Sequence, residues 1–159
     1  MLPKAEKYRK GALSPLKFWV FKCIHLPSLV FWNIKLKSLD DEKCVITIPF
    51  SHWTKNPFRS IYFSALNGAA ELSTGLLCQM YIQDYGEISM LLVEFQGKYY
   101  KKATGITTFT CTDGQMIHEN INKLKSGEST TFVAHSIGSN QNHDVVCEIW
   151  VTWSLLRKK

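Results

Sequence analysis

The chain has 159 residues, 45% of them apolar and 20% charged. Those proportions belong to a globular protein and exclude a disordered or fibrous one, and the length suits a single domain that buries its core without staples. The five cysteines are odd in number, far apart and form no C-x-x-C pair, so zinc-knuckle and dithiol chemistry are not expected; most should be small buried hydrophobes in a reducing, cytoplasmic setting.

The formal charge of +6 is unevenly spread. Residues 1 to 37 hold seven lysines and Arg9 against Glu6 alone, a net of +7, which leaves −1 for all the rest. A near-neutral body is not a general face for nucleic acid; attraction to an anionic lipid surface, to nucleic acid or to an acidic substrate would come from the N-terminal segment. Within it, Leu13 to Trp32 is rich in Leu, Phe, Trp and Val, yet Lys17, Lys22, His25, Pro15 and Pro27 interrupt it. No uninterrupted run long enough to span a bilayer remains, and the broken, late apolar stretch does not suit a signal peptide. A short amphipathic helix is expected there, with Ser14 as N-cap and Pro15 at the first helical position. It should dock its Trp and Phe on the domain, with a peripheral membrane or partner contact as the alternative. Residues 1 to 30 thus read as a basic helical extension of a domain spanning 1 to 159.

Next in order, Phe31 to Leu39 alternates as a half-buried strand, Asp40 to Glu42 form a polar turn, and Val45 to Phe50 returns as the second arm of a hairpin. Ser51 to Phe58, bracketed by Pro49 and Pro57, is a loop. From Ser60 to about Tyr81 the period becomes helical: Ala65, Ala69, Leu72, Leu76 and Met80 share one stripe. Ser64, Gly68, Glu71 and Gly75 form a second stripe with little bulk except at Glu71. Two glycines inside a helix cost about 1 kcal/mol each relative to alanine, so a backbone or ligand is expected to approach closely at that stripe. Strands follow at Ile88 to Lys101 and Gly105 to Thr112, then a short helix or turn from Asp113 to Leu124, then strands at Thr130 to Ile137 and Val145 to Leu156. One long helix among strands, with no βαβ alternation, predicts an α+β domain with a mostly antiparallel sheet.

Familiar catalytic motifs are missing. The five histidines are scattered without metal-ligand spacing, so no metal is expected, and there is no G-x-S-x-G elbow, P-loop or dinucleotide fingerprint. Glu71 is the chemical candidate, because a carboxylate on an apolar helix must be hydrogen-bonded, face a cleft or have its pKa raised by desolvation; the bland reading is a solvated helix face. Such a group could serve as general base toward water, with backbone N–H groups at the helix start, around Tyr62 to Ser64, holding a polarised carbonyl. Asn56, before Pro57, could orient a carbonyl or a water, or simply make the turn.

The stretch Ile48 to Leu77 carries a further signal. Thr54, Lys55, Asn56, Ser60, Tyr62, Phe63, Ala65, Leu66, Glu71 and Gly75 stand in a pattern that resembles the loop and central helix of hotdog-fold thioesterases, most closely the DUF4442 branch, related to the phenylacetate-pathway thioesterases. The resemblance implies a hotdog fold, an antiparallel sheet wrapped around one long helix. It implies acyl-CoA or another acyl thioester as substrate, no cofactor, and a homodimer or dimer of dimers with sites between subunits. By position it gives the base to Glu71, the carbonyl-holding N–H to Phe63 or Ser64, and a positioning role to Asn56; Tyr62 and Lys55 flank the same entrance, the lysine suited to a CoA phosphate. Phenylacetate-pathway relatives carry His-Gly-Gly at the helix entry, where this chain has Tyr62, Phe63 and Ser64. The alternative function is accordingly a non-catalytic hotdog module that binds an acyl or lipid-like ligand.

Overall fold

The structure, a computed structural model, describes residues 2–159. Three helices open the chain: α1 (Pro3–Leu13), α2 (Pro15–His25) and α3 (Pro27–Phe31). Each has proline at its first turn, where the fixed φ suits a helix and the missing N–H would have had no partner. Ser14 does precede α2, but its side chain makes no capping hydrogen bond. The start of α1 is capped instead from a distance, the Lys4 and Ala5 amides donating to the two Asp84 carboxylate oxygens at 3.0 and 2.7 Å.

The hairpin follows as β1 (Lys35–Leu39) and β2 (Cys44–Pro49), then α4 (Phe63–Ile82), β3 (Ile88–Tyr99), β4 (Ile106–Cys111), α5 (Gly114–Lys123), β5 (Ser129–Ser139) and β6 (Val145–Arg157). The first strand is shorter than its alternation predicts, because Pro27 begins a helix and Asn33, at φ 52°, turns the chain before Lys35. Similarly, α4 starts at Phe63 and not Ser60, since Ile61 first bridges Lys55 and its amide donates to the Ala103 carbonyl at 2.8 Å.

All pairings are antiparallel, in one six-stranded sheet of order β1-β2-β4-β5-β6-β3. Helix α4 lies across it: Ala65, Ala69, Leu76 and Met80 are buried against inward residues such as Ile46, Phe109, Ile149 and Leu155. Two buried polar pairs fix the helix on the sheet. The Trp153 indole N–H donates to the Thr74 hydroxyl at 3.0 Å, and the Ser73 and Ser136 hydroxyls lie 2.7 Å apart. In an apolar interior such bonds are costly to leave unmade, so they set the rotation of α4 and thereby the direction of its opposite face. Cys44, Cys78, Cys111 and Cys147 are buried and Cys23 is exposed.

Candidate functional site

The opposite face of α4 forms the floor of a groove of about 770 Å³. Ser64, Gly68, Glu71 and Gly75, the stripe of small residues around one acid, all line it. One wall comes from the N-terminal helices through Phe21, His25, Leu26 and Trp32, the other from Met90, Leu92, Phe95 and Trp153 of β3 and β6.

The two helical glycines are explained by aromatic rings, where a backbone or ligand was expected. A Cβ on Gly68 would come within 2.8 Å of the Trp32 ring, and one on Gly75 within 3.4 Å of the Trp153 ring. Both indoles thus rest on α4 itself, one on each side of Glu71, and the helix propensity lost at glycine is offset by their packing.

Among the described residues no hydrogen bond or ion pair reaches the Glu71 carboxylate, which is exposed along the open side of the groove in the single chain. Even so, the surrounding apolar walls withdraw enough water to raise its pKa above the ordinary 4.5, the direction expected when desolvation disfavours the charged form. Among the described residues no lysine or arginine lines the groove.

The other candidate residues sit at the entrance to α4. Helix α4 has no side-chain cap, and the first turn bonds only through Ala65 and Leu66 to the Tyr62 carbonyl. The N–H groups of Phe63 and Ser64 therefore have no partner among the described residues. Phe63 is 53% exposed, and its ring packs edge-on against Tyr62 at 4.9 Å. Asn56 is committed to its own loop: its Oδ1 accepts from the Phe58 and Ser60 amides at 3.0 and 3.2 Å, and its Nδ2 donates weakly to the Ile61 carbonyl at 3.4 Å. Lys55 is exposed beside it. Of these, Ser64 shares the groove with Glu71, whereas Asn56, Lys55, Tyr62 and Phe63 lie outside its lining. Sequence reasoning did not find the groove walls His25, Trp32 and Trp153, whose spacing carries no motif.

One dimension governs what this arrangement can do. Glu71 follows Phe63 by eight residues on a straight helix, about 12 Å at 1.5 Å per residue. A single carbonyl group cannot touch both the α4 N-terminus and the Glu71 carboxylate of the same chain.

Solved structures share the architecture. A protein of unknown function from Chlorobaculum tepidum aligns over 92% of this chain and 99% of its own, with a TM-score of 0.76 and 14% identity. A thioesterase from Haemophilus influenzae aligns over 87% and 88%, TM-score 0.64, 12% identity, and a thioesterase from Staphylococcus aureus over 80% and 97%, TM-score 0.64, 19% identity. No curated protein is significantly similar to the chain. The fold is thus the hotdog of the thioesterases, with α4 as its central helix. More narrowly, the model of the family described as "Domain of unknown function (DUF4442)" matches residues 17–155, and the chain belongs to that family.

Proposed function

We propose that the protein is an acyl-CoA thioesterase-like hydrolase acting as a homodimer or a dimer of dimers, with Glu71 as general base. The observation that carries this reading is an unpartnered carboxylate, raised in pKa, on the floor of a groove lined mainly by apolar side chains. Such a groove suits an acyl chain, and a carboxylate freed of ion pairs can take a proton from water as that water attacks the thioester carbonyl.

The second half of the site comes from another chain. Because the helix start and Glu71 are about 12 Å apart within one chain, the Phe63 N–H of one subunit and Glu71 of the other must converge if both act on one carbonyl. The free edge of the sheet offers the means. Strand β3 is twelve residues long and, among the described residues, pairs only with β6; Leu91 and Val93 on it are 64% and 50% exposed. A long bare edge invites pairing, and joining β3 to the β3 of a second copy would continue the sheet and wall the groove. Asn56 would hold the entrance loop in place, and Lys55 beside it would meet a CoA phosphate. Further support lies in the Staphylococcus aureus thioesterase, crystallised as two single mutants in which a glutamine and a glutamate fifteen positions later were replaced by alanine. Asn56 and Glu71 have the same separation.

The test is a panel of short, medium, long and aromatic acyl-CoA substrates, followed by thiol release from pH 4 to 9. Turnover is expected on at least one, with an acidic limb in kcat/KM set above 4.5, the ordinary carboxylate value, because the base must be ionised and desolvation by the groove walls opposes ionisation. Absence of turnover across the panel, together with an acyl species found bound by native mass spectrometry, would assign the groove to ligand binding without catalysis.

A further inference from the structure

Helix α2 is packed with its polarity reversed. Its inward side carries Phe18 and Lys22, both 6% exposed, the Lys22 ammonium donating to the Ile34 carbonyl at 2.7 Å and lying 5.3 Å from the Phe18 ring centre. At 100° per residue the outward side is a continuous arc of about 140°. Trp19, Cys23, Leu16, Val20 and Ile24 fill that arc with no charge among them. Leu16 and Ile24 are 71% and 68% exposed, Trp19 53%. A helix that buries a lysine and shows water its leucine, tryptophan and isoleucine has its apolar partner outside the chain.

Charge tells what that partner is. In the same N-terminal segment, Lys4, Lys7 and Lys17 line a cleft of about 600 Å³ between α1, α2 and α4, and none of the three has a carboxylate partner among the described residues. Arg9 and Lys10, by contrast, share the one Glu6 carboxylate at 2.9 and 3.3 Å. A second copy of the chain would bring the same uncompensated basic segment to the contact. An anionic surface with an apolar interior satisfies both features. No helix among the described residues is long and apolar enough to cross a membrane, so the contact is made from the side. Phe21 lines both this cleft and the Glu71 groove, so the lysine-lined cleft adjoins the groove.

We propose that the outward face of α2 inserts into the surface of an anionic phospholipid bilayer, with Lys4, Lys7 and Lys17 binding the lipid phosphates. The groove then opens beside the bilayer, where long-chain acyl compounds concentrate. This docking is independent of catalysis and is measured without substrate.

The experiment is co-sedimentation of the full chain with vesicles of phosphatidylcholine containing roughly a third phosphatidylglycerol, against phosphatidylcholine alone, at low and high salt. Binding is expected on the anionic vesicles, about tenfold or more weaker on neutral ones and weakened by salt, each lysine contributing on the order of a few-fold to tenfold. The pairs Leu16→Ser with Ile24→Ser, and Lys7→Glu with Lys17→Glu, should each reduce binding at least about tenfold. All four positions are outside the core, and an unchanged melting temperature confirms folding. In addition, quenching of tryptophan emission by brominated lipid should be lost largely in Trp19→Phe. The proposal is overturned by absence of sedimentation at millimolar lipid, by equal binding to neutral vesicles, or by undiminished binding in the Leu16/Ile24 pair. It is also overturned if that pair dissolves a self-association of the wild-type chain, which would make the face an interface between copies.

Discussion

Replacing Glu71 by Gln is expected to lower thioester turnover by about 10² to 10⁴, the range in which a positioned general base contributes, and to leave the fold intact. Glutamine keeps the size and the hydrogen-bonding oxygen but cannot accept a proton. Substrate binding should change little, so the loss falls on kcat. The linkage sign separates this from a structural defect. Desolvation by the groove walls raises the Glu71 pKa in the folded chain above its unfolded value near 4.5, so the native state holds its proton more tightly than the unfolded state does. Below about pH 4.5 both states are protonated and the group is neutral to stability. As pH rises through the folded pKa, the native state must ionise against desolvation, and the group becomes destabilising. At pH 7 the Gln variant should therefore melt at the same temperature as wild type or higher, and thermal melts at pH 4 and pH 7 check this. A variant that is both inactive and clearly less stable would mean that Glu71 supports the fold.

The second large effect concerns stability. Gly114, at the start of α5, lies so close to the β1–β2 turn that a Cβ would stand 2.2 Å from the Asp41 carbonyl oxygen and 2.7 Å from that of Glu42. Its own amide donates to the Glu42 carbonyl at 3.0 Å, tying the helix start to the hairpin. The obstructing atoms are backbone, so no side chain can swing aside. Gly114→Ala must move either α5 or the turn, at a cost of about 3 kcal/mol, or roughly 6 to 12 °C in melting temperature for a chain of this size. Gly11→Ala, where an added methyl meets nothing within 4 Å, is the matching control. It should be neutral or stabilising by up to about 1 kcal/mol, because alanine favours the helix.

Much of this architecture follows from periodicity. The Ala65, Ala69, Leu72, Leu76 and Met80 stripe could only be one helix face, and the structure buries all five. The Asp40 turn is legible because Asp40 can accept from the Glu42 and Lys43 amides two and three residues on, as it does. The N-terminal region was less transparent. Pro3, Pro15 and Pro27, at equal spacing, each open a helix, and within the basic helical extension read over residues 1 to 30 only the start at Pro15 is singled out by its flanking Ser14. The expected docking of α2 holds for Phe18 and fails for Trp19: sequence gives the apolar arc but not its direction, and the structure buries Phe18 while leaving Trp19 in water. Groove walls were invisible too. Trp32 and Trp153 meet α4 and His25 lines the same groove, from separate parts of the chain, and no spacing along the sequence encodes that meeting. The family resemblance places Glu71 and the helix start in a site between subunits, and the helix rise, which separates them by about 12 Å within one chain, agrees with that expectation.

Mixed dimers test this most directly. Tyr62 has φ −63° and ψ 136°, the extended conformation that a following proline favours, and Phe63 is the first helical residue, where proline is tolerated. Phe63→Pro therefore deletes the N–H proposed to hold the carbonyl without breaking α4, and should reduce turnover by about 10² or more. Glu71→Gln and Phe63→Pro proteins, each nearly inactive, are unfolded together, refolded in equal amounts and assayed for thiol release. With random pairing, half of the dimers are mixed and each has one intact site, so about a quarter of wild-type activity should return. Mixed protein no more active than its parents, though shown to have exchanged subunits, would contradict a site shared between the helix start of one chain and Glu71 of another.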